Sequence, residues 1–340
     1  MKATEKQVAC RYCGNTDPRL VGSCSAPVEC AAANVAPATR ELAERIRLSN
    51  LYECCHCHLL FRDPQLSKAD LALLYQTLPA AYWSYDEESV GSWVVAKRFL
   101  ESEYSDDILR RILDVGAFEG AFLRSLPSKW EKWAIEPSVE AQLSLKKNGI
   151  AHLGDFLDAS TISDGLEMFD VVTIFDVFEH LPDPRESLRV LISLLRPGGL
   201  LLISTGNAAH WTWKMLHGKH WYLHSVQHLH FATRGFLAVS VPAAGAKVEK
   251  ILLHSHKLTG TLEKWRQSIE TVHFGFLNRG TFVGRLIARA IQSLPCLGYL
   301  RHQRSAPFGN AISDHMMAII RRAHFEKSRA IACSPTLKKD

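Results

Sequence analysis

Two pairs of cysteines open the chain with the spacing of a metal site. Cys10 and Cys13 form one C-x-x-C, followed by Gly14, and Cys54 and Cys57 form a second. Each such knuckle sets two thiolates on one metal through a tight turn, and two knuckles predict a closed tetrahedral zinc site with no open position for catalysis. Cys55, His56 and His58 crowd the second knuckle, so the ligand set could shift among them. A different chemistry is written at residues 111–120, RILDVGAFEG. There an apolar run carrying Asp114 stops in a turn holding Gly116 and Gly120, the geometry that lets a backbone approach a nucleotide-like ligand. Glu136 follows 22 positions after Asp114, where an acid holds a ribose hydroxyl pair. A third group is histidine. Six of the sixteen histidines fall between His210 and His230, and histidine has the pKa range of a general base.

These residues need elements to position them, and from residue 111 strand and helix patterns alternate, predicting a parallel sheet flanked by helices. KWAIEPS reads as a second strand ending at Glu136, and HLGDFLD places Asp155 and Phe156 after a short third. FDVVTIFDVFEHLPDP gives a fourth, with Phe175, Asp176, Glu179 and His180 at its end. ESLRVLISLLRPGG is a helix closed by Pro197 and the Gly198–Gly199 turn, LLLISTGN a fifth strand, and ILLHS the end of a sixth. DHMMAIIRRA reads as the seventh strand, antiparallel to its neighbours. Ahead of the sheet, Leu71, Leu74 and Tyr75 share one helix face and a second helix covers residues 90–103. Tyr82 and Tyr85, between those helices, are candidate lid residues.

The motif series LDVGAFEG, AIEPS, GDFLD, FDVVTIFDVFEHLPDP and LLRPGGLLLISTGN resembles that of class I S-adenosylmethionine-dependent methyltransferases, in the same order over residues 111–207. The resemblance implies that Asp114, Gly116 and Gly120 form the turn at the methionine and ribose end of S-adenosylmethionine. It implies Glu136 on the ribose, Asp155 with Phe156 by the adenine, and Phe175 with Asp176 at the methionine end. Phe118 stands where many members carry a third glycine. A nicotinamide dehydrogenase shares the acid-for-ribose logic, but its G-x-G-x-x-G spacing is not met. The cysteine module ahead of this domain resembles that of sugar-nucleotide C-methyltransferases and other enzymes of surface-glycan and antibiotic-sugar pathways. Their H-E-H-F-like segment aligns with QHLHFAT, which implies His230 as the base and sets His228 two before it. Leu229 replaces the glutamate between them, leaving O- and N-methylation open beside C-methylation. His180 is the second candidate base. Asp176, Glu179 and His180 also resemble the metal-binding spacing of some quinone-pathway O-methyltransferases, with helix capping and packing the preferred reading.

The expected fold is therefore α/β: a Rossmann-like, doubly wound seven-stranded sheet with a small N-terminal zinc ribbon and a helical C-terminal insertion. The expected division is 1–66 zinc ribbon, 67–110 helical linker and lid, 111–257 cofactor-binding core, 258–312 insertion, and 313–340 last strand and tail. The chain has 340 residues, 47% hydrophobic and 22% charged, with net charge +5. Such mild basicity does not require nucleic acid and is compatible with an anionic substrate. No apolar run approaches the ~18 residues of a membrane span, and the first residues lack a signal peptide's apolar core, so a cytoplasmic location is expected. In the insertion, Val283, Leu286, Ile287, Ala290, Ile291 and Leu294 form a helical apolar stripe. From Thr271 to Ser313 there are five arginines and no acid. The preferred reading is a helical cap with a solvated basic face; the sharper one is contact with an anionic substrate or a membrane surface. The function expected is methyl transfer to a small, sugar-containing, anionic acceptor. The alternatives are an RNA methyltransferase gripping RNA through the zinc ribbon, which the FDVF segment and the mild basicity of the module disfavour, and a non-catalytic zinc-bearing binding protein.

Overall fold

The computed structural model describes residues 7–32, 35–77, 90–158 and 168–324. Tyr82 and Tyr85, the expected lid residues, lie outside the described residues. Seven strands form the main sheet: β4 (Arg110–Val115), β5 (Trp130–Ile135), β6 (Ala151–Gly154), β7 (Phe169–Phe175), β8 (Leu195–Gly206), β10 (Ala246–His254) and β11 (His315–Arg322). Their order is β10-β11-β8-β7-β4-β5-β6. The five from β8 to β6 run parallel, and β11 is inserted antiparallel between β8 and β10. The order reverses between β4 and β7, and a doubly wound sheet opens its ligand crevice at that point, at the carboxyl ends of its strands. Both faces are covered, which is why β7 reads FDVVTIF with hardly a polar residue.

Two helices, 184–194 and 234–243, pack on one side of the sheet. Helix α6 (Pro184–Leu194) is capped by Asp183, whose carboxylate accepts from the Arg185 and Glu186 amides. The cap is therefore not made by Asp176, Glu179 or His180, which correspond to no helix start; the last two are buried in the short 3-10 turn 178–180. The strand after α6 begins at Leu195, so that Pro197–Gly199 lies inside β8 rather than in a separate turn.

The N-terminal module is a second sheet, β1 (Arg19–Ser23), β2 (Asn50–Glu53) and β3 (Leu60–Asp63), to which the two-residue strand β9 (His230–Phe231) is added antiparallel. Cys10, Tyr12, Cys54, Leu59 and Phe61 pack in one continuous core with Val115, Phe178 and Phe236. Arg62 is fully buried in β3, and its guanidinium donates to the Leu223 and Ser225 carbonyls, the latter at 3.2 Å. The Leu229 carbonyl accepts from the Arg62 amide and from Gln65 Nε2, each at 3.0 Å. The segment 217–231 is thus held from one side by the cysteine module. Between β10 and β11 the chain forms two helices, α9 (Thr261–Asn278) and α10 (Phe282–Gln292), which join the end of one strand to the start of the other. No helix among the described residues is long and apolar enough to cross a membrane.

Candidate functional site

The glycine turn follows β4 directly. Gly116 takes φ +76° and Gly120 takes φ +76°, both in the left-handed region that favours glycine. A Cβ on Gly116 would come within 2.5 Å of Val177 Cγ2, while the residue itself is exposed at the carboxyl end of β4. Phe118, at the position of the missing third glycine, also has positive φ, +47°. Its amide donates to Glu136 Oε2 at 2.8 Å, and the Ser138 amide donates to Oε1 at 2.8 Å. The Glu136 carboxylate is thereby fixed under the turn with lone pairs left on both oxygens. Burial pushes its pKa up, against the pull of those two amides. Asp155 is exposed and accepts from Gln142 Nε2 at 2.9 Å; Phe156 is also exposed.

Asp114 lies differently from a residue of the open turn. Its carboxylate is buried and accepts from Thr173 Oγ1 at 2.7 Å, bracing β4 against β7. Burial raises its pKa to about 7. Phe175 packs edge-on against Phe122, ring centres 4.8 Å apart, which ties the end of β7 to the first turn.

At the ends of β7, β8 and β11 a buried polar cluster assembles. Asp176 has φ +52°, and its amide donates to the Ser204 carbonyl at 2.9 Å. Glu179 is fully buried and accepts from Tyr222 Oη and, at 3.0 Å, from Thr205 Oγ1. Burial first, then the Asp176 charge, holds Glu179 well above the usual carboxylate range. His180 Nδ1 bonds the Tyr75 hydroxyl at 3.1 Å, and burial lowers its pKa to about 4. His228 stacks on His180 at 4.9 Å and donates from Nδ1 to the Tyr222 carbonyl at 2.6 Å. The ligand atoms of Glu179, His180 and His228 lie within 4.8 Å of one another, as do those of Asp176, His256 and His315.

His315 opens β11. Its Nδ1 donates to Asp314 Oδ1 at 2.8 Å, which leaves Nε2 as the acceptor nitrogen. That Nε2 is buried with no hydrogen-bond partner among the described residues, 3.8 Å from Asp176 Oδ1. Burial alone would lower the His315 pKa; the hydrogen bond and charge of Asp314, with Asp176, more than offset it and raise it. Asp314 Oδ2 accepts from Trp221 Nε1 at 3.1 Å and faces His220 Nε2 at 3.4 Å. Although burial opposes it, bonding from His220 and His315 keeps the Asp314 carboxylate well below its ordinary range.

His230 does not join this cluster. Its β9 strand pairs with β3, opposite Phe61, and its ring is fully buried beside the Leu181–Pro182 backbone. The expected base thus sits in the seam between sheet and cysteine module, and His228, two residues earlier, reaches the site. In the sequence, Asp314 and His315 are masked by the strand pattern of DHMMAIIRRA. Their signal was there: an Asp-His pair opening an otherwise apolar buried strand is a costly placement without a partner or a task.

The four knuckle cysteines converge. Cys10 and Cys57 Sγ lie 3.6 Å apart and Cys13 and Cys54 Sγ 3.4 Å apart, all four within 4.8 Å of one another. In a tetrahedron with metal–sulfur bonds of ~2.3 Å, sulfurs stand at about 3.8 Å, so the donor set fits zinc. Without a cation Cys10 and Cys13 are driven apart: the Cys57 bond favours the thiolate at Cys10, lowering its pKa to about 5, while burial pushes Cys13 up to about 11. Cys24 and Cys30 stand outside this group.

Strand order and site together define the class: a sheet with an antiparallel seventh strand and a glycine turn, acid-braced, at its switch point. The profile of a family described as "Methyltransferase domain" matches residues 80–251, just over half of the chain. The chain belongs to that family, among the class I S-adenosylmethionine-dependent methyltransferases. It is 33% identical over 104 residues to a ubiquinone biosynthesis O-methyltransferase of Aeromonas salmonicida, covering 29% of this chain and 44% of the relative. It is 27% identical over 118 residues to one of Histophilus somni, covering 32% and 49%. The chain thus spans less than half the length of these curated relatives. Among solved structures, an S-adenosylmethionine-dependent methyltransferase from Mesorhizobium loti aligns with TM-score 0.40 and 15% identity over 66% of this chain and 96% of that one.

The bracing of Glu136 gives a first expected result. In Glu136→Gln the amide NH2 must face either the Phe118 or the Ser138 amide, whichever way it is turned, so one donor is left opposing another. Loss of a charge-assisted bond costs about 1.5–3 kcal/mol. Titration calorimetry should show S-adenosylmethionine bound roughly 10- to 100-fold more weakly.

Proposed function

We propose that this protein transfers a methyl group from S-adenosylmethionine to a hydroxyl of a small, sugar-containing acceptor, with His315 as general base. The observation that carries this reading is the Asp314–His315 pair, whose open Nε2 faces the cluster at the strand ends. Gly116, Gly120, Glu136, Asp155, Phe156, Phe175 and Asp176 would hold the donor, with Asp114 bracing their strand. Bound there, the donor supplies a methyl on a sulfonium, moved by in-line displacement with a thioether as the leaving group. His315 Nε2 takes the proton that the acceptor hydroxyl gives up, and Asp314 stabilises the resulting imidazolium. His180, its pKa lowered to about 4 by burial, stays neutral and is a weaker proton acceptor. His180, His228 and Tyr222 instead line and orient the acceptor side, a positional contribution. Zinc at Cys10, Cys13, Cys54 and Cys57 would be structural.

A phenolic hydroxyl is the second reading, favoured by the ubiquinone biosynthesis O-methyltransferases among the relatives. A labelled-methyl panel over nucleotide sugars, lipid-linked glycans, catechol-type phenols and RNA separates the acceptors. Label on RNA alone, or no binding of S-adenosylmethionine at all, would overturn the proposal. In the same assay His230→Gln is expected to keep turnover per folded molecule, since its ring lies outside the cluster; loss of turnover at wild-type stability would return the base role to His230.

A further inference from the structure

Helix α10 is built the wrong way round for a cap. Its buried side consists of small residues: Gly284 and Ala288 face α9, where a Cβ on Gly284 would come within 2.5 Å of the Phe276 carbonyl oxygen. Its large apolar residues face water. Phe282 is 70% exposed, Val283 63% and Leu286 47%, with Leu294 beyond the helix end at 54%. At 100° per residue, Phe282, Leu286, Ala290 and Val283 occupy one contiguous arc of the exposed side, and Arg289 and Arg285 line one edge of it. A soluble helix normally buries such residues, and a contiguous exposed patch marks an interaction surface.

Charge identifies the partner. All five arginines between Thr271 and Ser313 (Arg279, Arg285, Arg289, Arg301 and Arg304) are exposed, and none makes an ion pair among the described residues. No carboxylate lies in that stretch. An apolar face edged by uncompensated arginines complements a surface that is negative outside and apolar just beneath. We infer that α10 docks on an anionic lipid bilayer, lying in the headgroup layer with Phe282, Val283 and Leu286 inserted. The insertion springs from β10 and returns into β11, ending at His254 and His315, so the docked helix is tethered to the strand ends that carry the site. Resting on the methyl-transfer reading, this points to an acceptor borne by a lipid.

Flotation of the full chain with vesicles of phosphatidylcholine, alone or mixed with phosphatidylglycerol, tests the docking. Binding is expected to the mixed vesicles only, and to weaken as salt rises. Replacing Arg285 and Arg289 with Gln should lower the partition coefficient by roughly fivefold for each arginine. Replacing Phe282 and Leu286 with Ser should lower it by about tenfold or more. All four side chains are exposed, so S-adenosylmethionine binding by calorimetry should be unchanged, and that measurement judges the methyl-transfer reading independently of the vesicles. Equal binding to neutral vesicles, no binding at low salt, or a wild-type dimer that the Ser variant converts to monomer would each overturn the docking inference; the last would assign the face to a second copy of this chain.

Discussion

His315→Asn is expected to lower turnover by about 10²- to 10⁴-fold, the usual contribution of a positioned general base, while S-adenosylmethionine still binds. Asn is the informative choice because its amide NH2 can keep the bond to Asp314 that the imidazole Nδ1–H now makes at 2.8 Å. The buried carboxylate then stays satisfied and only the acceptor nitrogen is lost. The pH profile supplies a readout that a structural role would not move. A protonated His315 cannot accept, so turnover should rise with pH through its pKa, which lies above the ordinary histidine value because Asp314, opposing burial, favours the imidazolium. Asp314→Asn removes that charge; the acid limb should move to lower pH and the plateau should fall. The linked effect on stability has the opposite slope. A histidine raised by a partner adds stability that is present below its unfolded value and lost as pH rises through the folded one. An Asp314→Asn variant with an unmoved acid limb would remove His315 from the proton-transfer step.

The parts of this molecule legible from sequence are those fixed by local pattern. Buried parallel strands are continuous apolar runs, and FDVVTIF could hardly be anything else. The glycine turn and the two knuckles are legible because spacing along the chain is their geometry. What was not legible depends on contacts between distant segments. His228 and His230 are two residues apart, and only the pairing of β9 with β3, across some 170 residues of chain, decides that the second is carried into the seam and the first reaches the cluster. Asp314 and His315 look like the start of a strand until β11 is placed against β8, with His315 opposite Gly206 beside the end of β7. Periodicity found the apolar stripe of α10 but could not say which way it faces, because the small residues Gly284 and Ala288 offer α9 a closer approach than the large ones do. Glu179 and His180 are packed in the interior, and the helix cap falls three residues on, at Asp183.

The largest expected effect on stability comes from the knuckles. Replacing Cys54 with Ser, or treating with a chelator to remove the zinc proposed for the four thiolates, should destabilise the whole protein rather than release a separate module. Structural zinc contributes apparent free energies of about 10–16 kcal/mol in small fingers; even about 4 kcal/mol here would lower Tm by on the order of 5–10 °C. The reason is continuity. Cys10, Cys54 and Phe61 share one core with Val115 and Phe236, and β3 carries both the β9 ladder and the buried Arg62 that holds the Leu223 and Ser225 carbonyls. Tyr222 and His228 hang from that segment, and with them the bonds to Glu179 and the stack on His180. Loosening the knuckles should therefore misplace the acceptor side of the site, so that turnover falls at temperatures where the sheet is still folded. Metal analysis of the purified protein, paired with melts and turnover before and after chelation, checks this. Full turnover in metal-free protein with an unchanged Tm would show that the four thiols hold the module together without an ion, through packing alone.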